Sequence, residues 1–302
     1  MLFAPIGVKK GIFSMSNYVI FTDSACDISP ELLKEWGVFY KPLYLHFEGD
    51  STLYSDDGIS KQEFYQKMRD GAVAKTSAVN AEDFAQGFEE ILKEGKDVLY
   101  VGFSSGLSTT FNSARIAAND LKEKYPDRKI IVVDTLAASA GEGLIVYLTV
   151  KKKEEGATIE EAAAYAEQLK WNISIWFTVD DLVYLKRGGR VSAAAAFFGN
   201  MLGIKPVLHM DNEGHLVPVA KVRGRKTAVD TLAKKYGELA TDTKNNTIFI
   251  SHAECEADAQ RLKSIFEENY GAKVEIITNI GPVIGAHAGP GTLALFFVGK
   301  ER

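Results

Sequence analysis

The sequence of 302 residues has little cysteine, no long apolar run and no excess of positive charge. Its two cysteines, Cys26 and Cys255, lie far apart and match no metal-ligand spacing, which excludes a disulfide framework and makes a reducing cytoplasm the expected location. No stretch approaches the roughly 18 uninterrupted apolar residues of a membrane-spanning helix, so we expect no stable membrane insertion. A net charge of −5 argues against general binding of nucleic acid. The whole sequence is 46% hydrophobic and 25% charged, a composition that is typical of a globular protein.

The first 16 residues do not have the pattern of a signal peptide. Lys9 and Lys10 follow the apolar start instead of preceding it, and no small-residue cleavage site closes the stretch. We predict a disordered leader over residues 1–16, with the folded chain beginning near Asn17.

Short β-branched runs alternate with longer amphipathic stretches along the chain. In the first half this alternation predicts βαβ crossovers, and hence an α/β domain over residues 17–155 with a mainly parallel sheet flanked by helices. The second half, residues 156–302, is predicted to be an α/β domain with a mixed sheet, because Asn212-Glu213-Gly214 joins two strand-like runs as a hairpin would. The ligand is expected between the two domains.

Some individual elements are predicted with definite bounds. Val38–Phe47 has the pattern of one strand, Leu107–Tyr125 of a helix, and Ala193–Leu202 of an apolar helix. The small apolar residues of the last segment and of 137–148 are consistent either with the lining of a long cavity or with tightly packed core helices.

Hydroxyl side chains follow a buried strand at Ser104–Thr110, where a helix begins. Free backbone N–H groups and hydroxyls at such a junction suit a carboxylate or a phosphate, although Ser104 or Ser108 could simply cap the helix. The pair Thr76 and Ser77, predicted to lie in a loop, could reach the same anion or could form an ordinary turn. No lysine completes a phosphate-binding loop at Ser104–Thr110.

Two carboxylates follow the first strand, at Asp23 and Asp27. They could contribute to a metal site, but no histidine or further carboxylate lies nearby in sequence, so hydrogen bonds that tie down a turn are the favoured interpretation.

Two basic, glycine-rich segments stand out in an acidic chain. One spans Lys186–Arg190 and includes Arg187, and the other spans Lys221–Lys226 and includes Arg223. Arginine beside glycine can approach an anion closely and in a bidentate way, whereas a solvated basic patch is the simpler alternative. A third segment, Gly281–Gly291, is predicted to be a loop in which His287 is almost the only polar side chain.

Taken together, these segments resemble the DegV family of bacterial fatty-acid-binding proteins over nearly the whole chain, from Tyr18 to Phe297. The motifs that carry the resemblance are Asp23-Ser24-x-x-Asp27, Lys75-Thr76-Ser77, Ser104-Ser105-x-Leu107-Ser108-x-Thr110, Val133-Asp134-Thr135, Leu185–Arg190, Lys221–Lys226 and Gly281–Gly291. This chain has Thr109 where the family usually has glycine.

The resemblance implies a long-chain fatty acid such as palmitate or oleate, held between two α/β domains with its tail buried. It implies that Thr76, Ser77 and Ser108, with His287 close by, bind the carboxylate. Arg223 and Arg187 would contact a separate fatty acid kinase, which phosphorylates the carboxylate to an acyl phosphate. In that scheme the chain is a carrier, with no catalytic centre, metal or cofactor of its own.

An enzyme is the alternative that the residues themselves leave open. A phosphotransferase or hydrolase could hold the phosphate of a small substrate on the Ser/Thr segment, with Arg187, Arg190 or Arg223 stabilising the transferred charge. The absence of a phosphate-loop lysine and of a carboxylate cluster for Mg²⁺ argues against this alternative.

Overall fold

A computed structural model describes residues 17–191 and 203–302. The predicted leader, residues 1–16, and the predicted helix Ala193–Leu202 lie outside the described residues. The strands are β1 (Tyr18–Asp23), β2 (Val38–Lys41), β3 (Tyr44–Phe47), β4 (Tyr54–Ser55), β5 (Ala74–Ser77), β6 (Asp97–Gly102), β7 (Ile130–Asp134), β8 (Ile173–Thr178), β9 (Ile204–Met210), β10 (Leu216–Arg223), β11 (Ile248–His252), β12 (Val274–Asn279) and β13 (Leu293–Val298). The α-helices are α1 (Pro30–Glu35), α2 (Lys61–Arg69), α3 (Ala81–Lys93), α4 (Thr110–Lys124), α5 (Ala140–Glu154), α6 (Ile159–Leu169), α7 (Val183–Arg187), α8 (Arg225–Leu239), α9 (Glu256–Tyr270) and α10 (Pro282–Ala288).

The first sheet is parallel and has the strand order β2-β1-β6-β7, as the alternation of strands and helices predicted. Every residue of β1 is buried, which is the pattern of a strand covered on both faces. Helices α3 and α4 pack against each other and against β6, and α5 and α6 form a second pair that also contacts β6.

The prediction of one strand over Val38–Phe47 is wrong, because Pro42 divides it. Proline has no N–H to give to a ladder, and the chain changes sheets there. β2 stays in the parallel sheet, whereas β3 joins a small antiparallel sheet of order β4-β3-β5. Thr76 and Ser77, predicted to lie in a loop, belong to β5 of this small sheet.

The second sheet is mixed, with the order β10-β9-β8-β13-β11-β12. β9 and β10 form the predicted hairpin, and its tip packs on the Ser104–Thr110 segment, where the Ser104 hydroxyl donates to the Gly214 carbonyl at 3.0 Å. A Cβ atom on Gly106 would lie 2.6 Å from the Glu213 carbonyl oxygen, so the two loops meet backbone to backbone.

Helix α5 lies between the two sheets and contacts β1 and β6 of one and β8, β11 and β13 of the other. Its glycines permit this close packing: a Cβ on Gly141 would come 2.7 Å from Ile175, and one on Gly143 would come 2.6 Å from Ile28. The small residues of α5 therefore serve core packing. Helix α6 contacts β6 and β7 of the first sheet, and a division into domains at residues 155/156 stays a prediction.

Two helices differ from their predicted bounds. Helix α4 begins at Thr110 instead of Leu107, because residues 105–107 form a turn before it. The segment predicted as the Gly281–Gly291 loop contains α10, which has Pro282 in its first turn and ends at Gly289 with φ +82°. No helix of the described part of the chain is both long and apolar enough to cross a membrane.

Candidate functional site

A cavity of about 480 Å³ lies where the carboxyl ends of the parallel strands face the second sheet. That volume falls within the range of about 300–1,000 Å³ that is usual for small-molecule sites. Apolar side chains from both halves of the chain form most of its wall: Leu43, Phe103, Leu107, Ile175, Phe177, Leu185, Leu216, Ile280, Val283, Ile284 and Phe296. The polar residues of the lining are Thr76, Ser77, Ser105, Ser108, Thr109, Ser139, Arg190, His287 and Thr292.

Thr76 and His287, which are 211 residues apart in sequence, meet at this cavity. Strand β5 carries Thr76, α10 carries His287, and the Thr76 Oγ1 and His287 Nε2 atoms are 2.7 Å apart. Burial, and after it the charge of Arg190, lowers the pKa of His287 to about 4. The ring is therefore neutral at physiological pH, and its Nδ1 atom is buried with no hydrogen-bond partner among residues 17–191 and 203–302.

Gly188 packs against the other edge of the same imidazole. A Cβ atom on Gly188 would lie 2.1 Å from His287 Nδ1, a distance that no pair of unbonded atoms can adopt. The glycine in this basic segment thus gives the His287 ring the space it occupies.

We expect Gly188→Ala to drive the His287 ring away from Thr76 and toward solvent. The loss of burial should return the pKa of His287 from about 4 toward its ordinary value of 6.5, because burial is the largest cause of the shift. An NMR titration of the imidazole measures this. Lys186→Ala is the matched control, since Lys186 is an exposed residue of the same segment and does not line the cavity; an unchanged His287 pKa in Gly188→Ala would contradict the packing argument.

Ser108 lies two residues before the start of α4 and lines the cavity. Its hydroxyl oxygen accepts a hydrogen bond from the Thr110 backbone N–H at 3.2 Å and lies 2.9 Å from Thr110 Oγ1. Ser104 is buried outside the cavity lining, where its oxygen accepts from the Gly106 N–H. Of the two serines that the sequence offered for an anion, only Ser108 faces the cavity.

Arg190 brings a positive charge to the same region. Its Nε donates to the Leu107 carbonyl at 3.1 Å and its Nη1 to the Gly188 carbonyl at 2.5 Å. These bonds hold the guanidinium between the Ser108 turn and the Gly188 segment, and burial lowers its pKa. One part of this mainly apolar cavity therefore brings together groups that suit an anion. They are the guanidinium of Arg190, the hydroxyls of Thr76 and Ser108 and the neutral imidazole of His287.

Arg187 and Arg223 do not line the cavity. Both are exposed: Arg187 lies at the end of α7, with its guanidinium carbon 5.8 Å from the centre of the Tyr184 ring, and Arg223 ends the edge strand β10, opposite Ile204. Their position leaves them free to meet another molecule at the surface.

Asp23 has the turn role that its sequence context favoured. It accepts from the Ala25 N–H at 3.0 Å, and its other oxygen accepts from the Tyr100 hydroxyl at 2.6 Å. Across residues 17–191 and 203–302 no three His, Cys, Asp or Glu side chains are arranged to hold a metal ion.

Within the segment 137–148, predicted either to line a cavity or to pack a core, Ala138 and Ser139 line the cavity, whereas Ala137 and residues 140–148 do not. Sequence reasoning did not assign the strand residues Ile175, Phe177 and Phe296 to the wall. Their only signal is their place in apolar strands, which fits any buried sheet.

Comparison with known proteins places these features in a family. The sequence profile of the DegV family, described as uncharacterised proteins, matches residues 17–300. A DegV domain-containing protein of Clostridium perfringens is 42% identical over 291 residues, which cover 95% of this chain and 99% of that protein.

Solved structures agree with this assignment. A DegV family protein of Thermus thermophilus, described by its fatty acid binding, is 34% identical, with a TM-score of 0.84 over 94% of this chain and 99% of that one. A stearic acid-binding protein of Eubacterium ventriosum is 29% identical, with a TM-score of 0.85 over 94% of this chain and 98% of the other.

Proposed function

We propose, from the premise that this chain belongs to the DegV family, that it binds a long-chain fatty acid in the cavity described above. The observation that carries the proposal is the convergence of Thr76, Ser108, Arg190 and His287 on one part of a mainly apolar cavity. A fatty acid matches this arrangement, because it has one anionic group at the end of a long apolar tail.

Burial of the tail supplies the driving force. At about 0.8 kcal/mol per buried CH₂, a chain of about 16 carbons gains on the order of 10 kcal/mol. Lost translational and rotational freedom opposes this gain by a comparable amount, about 4–15 kcal/mol. Affinity therefore depends on how well the protein hydrogen-bonds the carboxylate, because an unpaired buried charge would cancel any free energy left from burying the tail.

In our proposal the hydroxyls of Thr76 and Ser108 donate to the carboxylate, His287 supports Thr76, and Arg190 supplies the opposite charge. Ser77, which lines the cavity next to Thr76, is a further donor. The carboxylate should raise the pKa of His287 from the value of about 4 that burial and Arg190 set, since a nearby negative charge favours the imidazolium.

Native mass spectrometry of freshly purified protein, followed by organic extraction, tests fatty acid binding. We expect one equivalent of a fatty acid, released on denaturation. A protein that carries none, and that also fails to take up added palmitate or oleate, would contradict the proposal. Turnover of a phosphate ester by such a protein would favour the enzyme alternative.

We further propose that the chain is a carrier that presents the carboxylate to a fatty acid kinase for acyl phosphate formation, and that it works in the cytoplasm. The exposed Arg187 and Arg223 support this, because neither touches the cavity and both could meet an acidic partner. The kinase partner and the absence of catalysis by this chain are expectations from the family resemblance.

We expect Arg223→Ala to leave oleate binding unchanged and to lower kinase-dependent acyl phosphate formation about tenfold or more, as loss of one well-placed interface arginine does. The measurement compares the two readouts on one preparation. Lys273→Ala is the matched control, because Lys273 is 82% exposed and precedes β12, at the opposite edge of the same sheet. Equal kinase rates for Arg223→Ala and the parent would remove Arg223 from the partner surface.

A further inference from the structure

Two buried carboxylates from the first half of the chain hold the start of α10 in the second half. Asp27 Oδ1 accepts a hydrogen bond from the Gly281 N–H at 2.7 Å, and Asp56 Oδ1 accepts one from the Val283 N–H, also at 2.7 Å. The aspartates are only 5% and 6% exposed. Their partners lie 254 and 227 residues away in sequence.

The two carboxylates close around Gly281 and leave no space for a side chain. A Cβ atom there would lie 2.9 Å from Asp27 Oδ1 and 3.3 Å from both oxygens of Asp56. The entry to α10 is also fixed by α2, where Lys61 donates to the Asn279 carbonyl at 2.8 Å and Tyr65 to the Ile280 carbonyl at 3.1 Å.

The hydrogen bonds of Asp27 and Asp56 to the start of α10 form a clamp, which Asp27 connects to a second residue of the cavity lining. Its second oxygen, Oδ2, accepts from the hydroxyl of Ser139, which itself lines the cavity. Ser139 has φ +55° and ψ −150°, a conformation that is strained for serine and needs support from its surroundings. One carboxylate thus ties the start of α5 to the start of α10.

Helix α10 contributes a whole wall of the cavity. Val283, Ile284, His287 and Ala288 all line it, so a displacement of the first turn of α10 moves the imidazole that meets Thr76. The helix has seven residues, too few to hold itself in place by its own hydrogen bonds.

We propose that Asp27 and Asp56 are positioning residues, which clamp the first turn of α10 and thereby set the place of His287 against Thr76. This inference rests on the proposed function for its consequence, fatty acid retention, but the clamp itself is a property of the chain. Neither aspartate lines the cavity, so neither touches the fatty acid.

Burial of the two aspartates disfavours their charged forms. Burial raises the pKa of Asp27 to about 6 and that of Asp56 to about 7, and the charge of Asp27 adds to the second shift. Lys61 favours the charged form of both aspartates, and the charge of Asp27 is in turn one of the causes that raise the pKa values of the buried Cys26, Tyr65 and Glu142. His252 lies one strand away on β11, and its carbonyl accepts from the Ile280 N–H.

The test compares Asp56→Ala, which removes the acceptor, with Asp56→Asn, whose amide oxygen can still accept from Val283. Asp57→Ala is the matched control, because Asp57 is the neighbouring exposed carboxylate. The readouts are hydrogen–deuterium exchange of a peptide covering α10, with α9 as the internal reference, and oleate affinity by competition with a fluorescent fatty acid.

We expect Asp56→Ala to speed exchange in α10 about tenfold or more without change in α9, and to weaken oleate binding by a similar factor. Asp56→Asn should restore both to within about threefold, and Asp57→Ala should change neither. Unaltered α10 exchange in Asp56→Ala, or equally faster exchange in α9, would overturn the clamp. If the parent binds no oleate, the proposed function fails, while the exchange comparison still decides whether the clamp exists.

Discussion

A chain that carries Thr76→Val together with Ser108→Ala is expected to bind oleate about 100-fold more weakly than the parent, and to be purified without fatty acid. Each hydroxyl that donates to a buried carboxylate contributes about 1.5–3 kcal/mol, and the loss of both leaves that carboxylate poorly satisfied. Valine keeps the shape of Thr76 in β5, so the loss should come from the hydroxyl and not from a cavity. Competition with a fluorescent fatty acid measures the affinity.

The control must account for the second role of Ser108, whose oxygen accepts from the N–H of Thr110, the first residue of α4. Loss of a side-chain hydrogen bond to the start of a helix costs about 1 kcal/mol of stability. Ser29→Ala is matched in this respect, since Ser29 caps α1 through the Leu32 N–H and lies outside the cavity. Full acyl occupancy in the double variant would rule out Thr76 and Ser108 as the carboxylate ligands.

The second large effect is on the pH dependence of folding. The native state raises the pKa of Asp56 from 3.8 to about 7, so between these values the native state binds more protons than the unfolded state. Because the native state binds more protons, the contribution of Asp56 to stability is greatest at low pH and is lost as pH rises toward 7. The same holds for Asp27 over a narrower window, up to about 6.

Asp56→Asn removes this titration and should therefore become progressively more stable than the parent as pH rises. One pKa unit corresponds to about 1.4 kcal/mol, so the difference in free energy of unfolding should grow by roughly 2–3 kcal/mol between about pH 5 and pH 8. Urea denaturation of delipidated protein at the two pH values measures it, with Asp57→Asn as control. A difference that is the same at both pH values would show that Asp56 is already ionised at pH 5 in the folded protein, so that burial does not raise its pKa.

The sequence predicted the parts of this protein that depend on local order. Alternating strands and helices indicated the parallel sheet, and Asn212-Glu213-Gly214 indicated the hairpin. Pro42 is the local signal that one strand is two, because its missing N–H cannot take part in a strand ladder. The helix α10 was missed because its glycines are typical of a loop, whereas here tertiary hydrogen bonds from Asp27 and Asp56 hold it.

The family resemblance, and not the spacing of residues, brought Thr76, Ser108 and His287 together in advance. All three lie around one cavity, and their role toward a carboxylate stays a prediction. Arg190 lies in a basic segment among other cations, and its place in the cavity lining, with its bonds to the Leu107 and Gly188 carbonyls, distinguishes it from the exposed Arg187. Contacts such as Asp56 with Val283 join residues 227 apart, and one sequence carries no signal of such pairs.

The place of β13 in the second sheet has a consequence for synthesis. Residues 293–298 are read late by the ribosome, yet β13 lies between β8 and β11 and is hydrogen-bonded to both. Ala294 and Phe296 of this strand line the cavity. A nascent chain therefore has neither a closed second sheet nor a finished cavity until residue 298 has left the exit tunnel, so an apolar ligand finds its complete site only after β13 has joined the sheet.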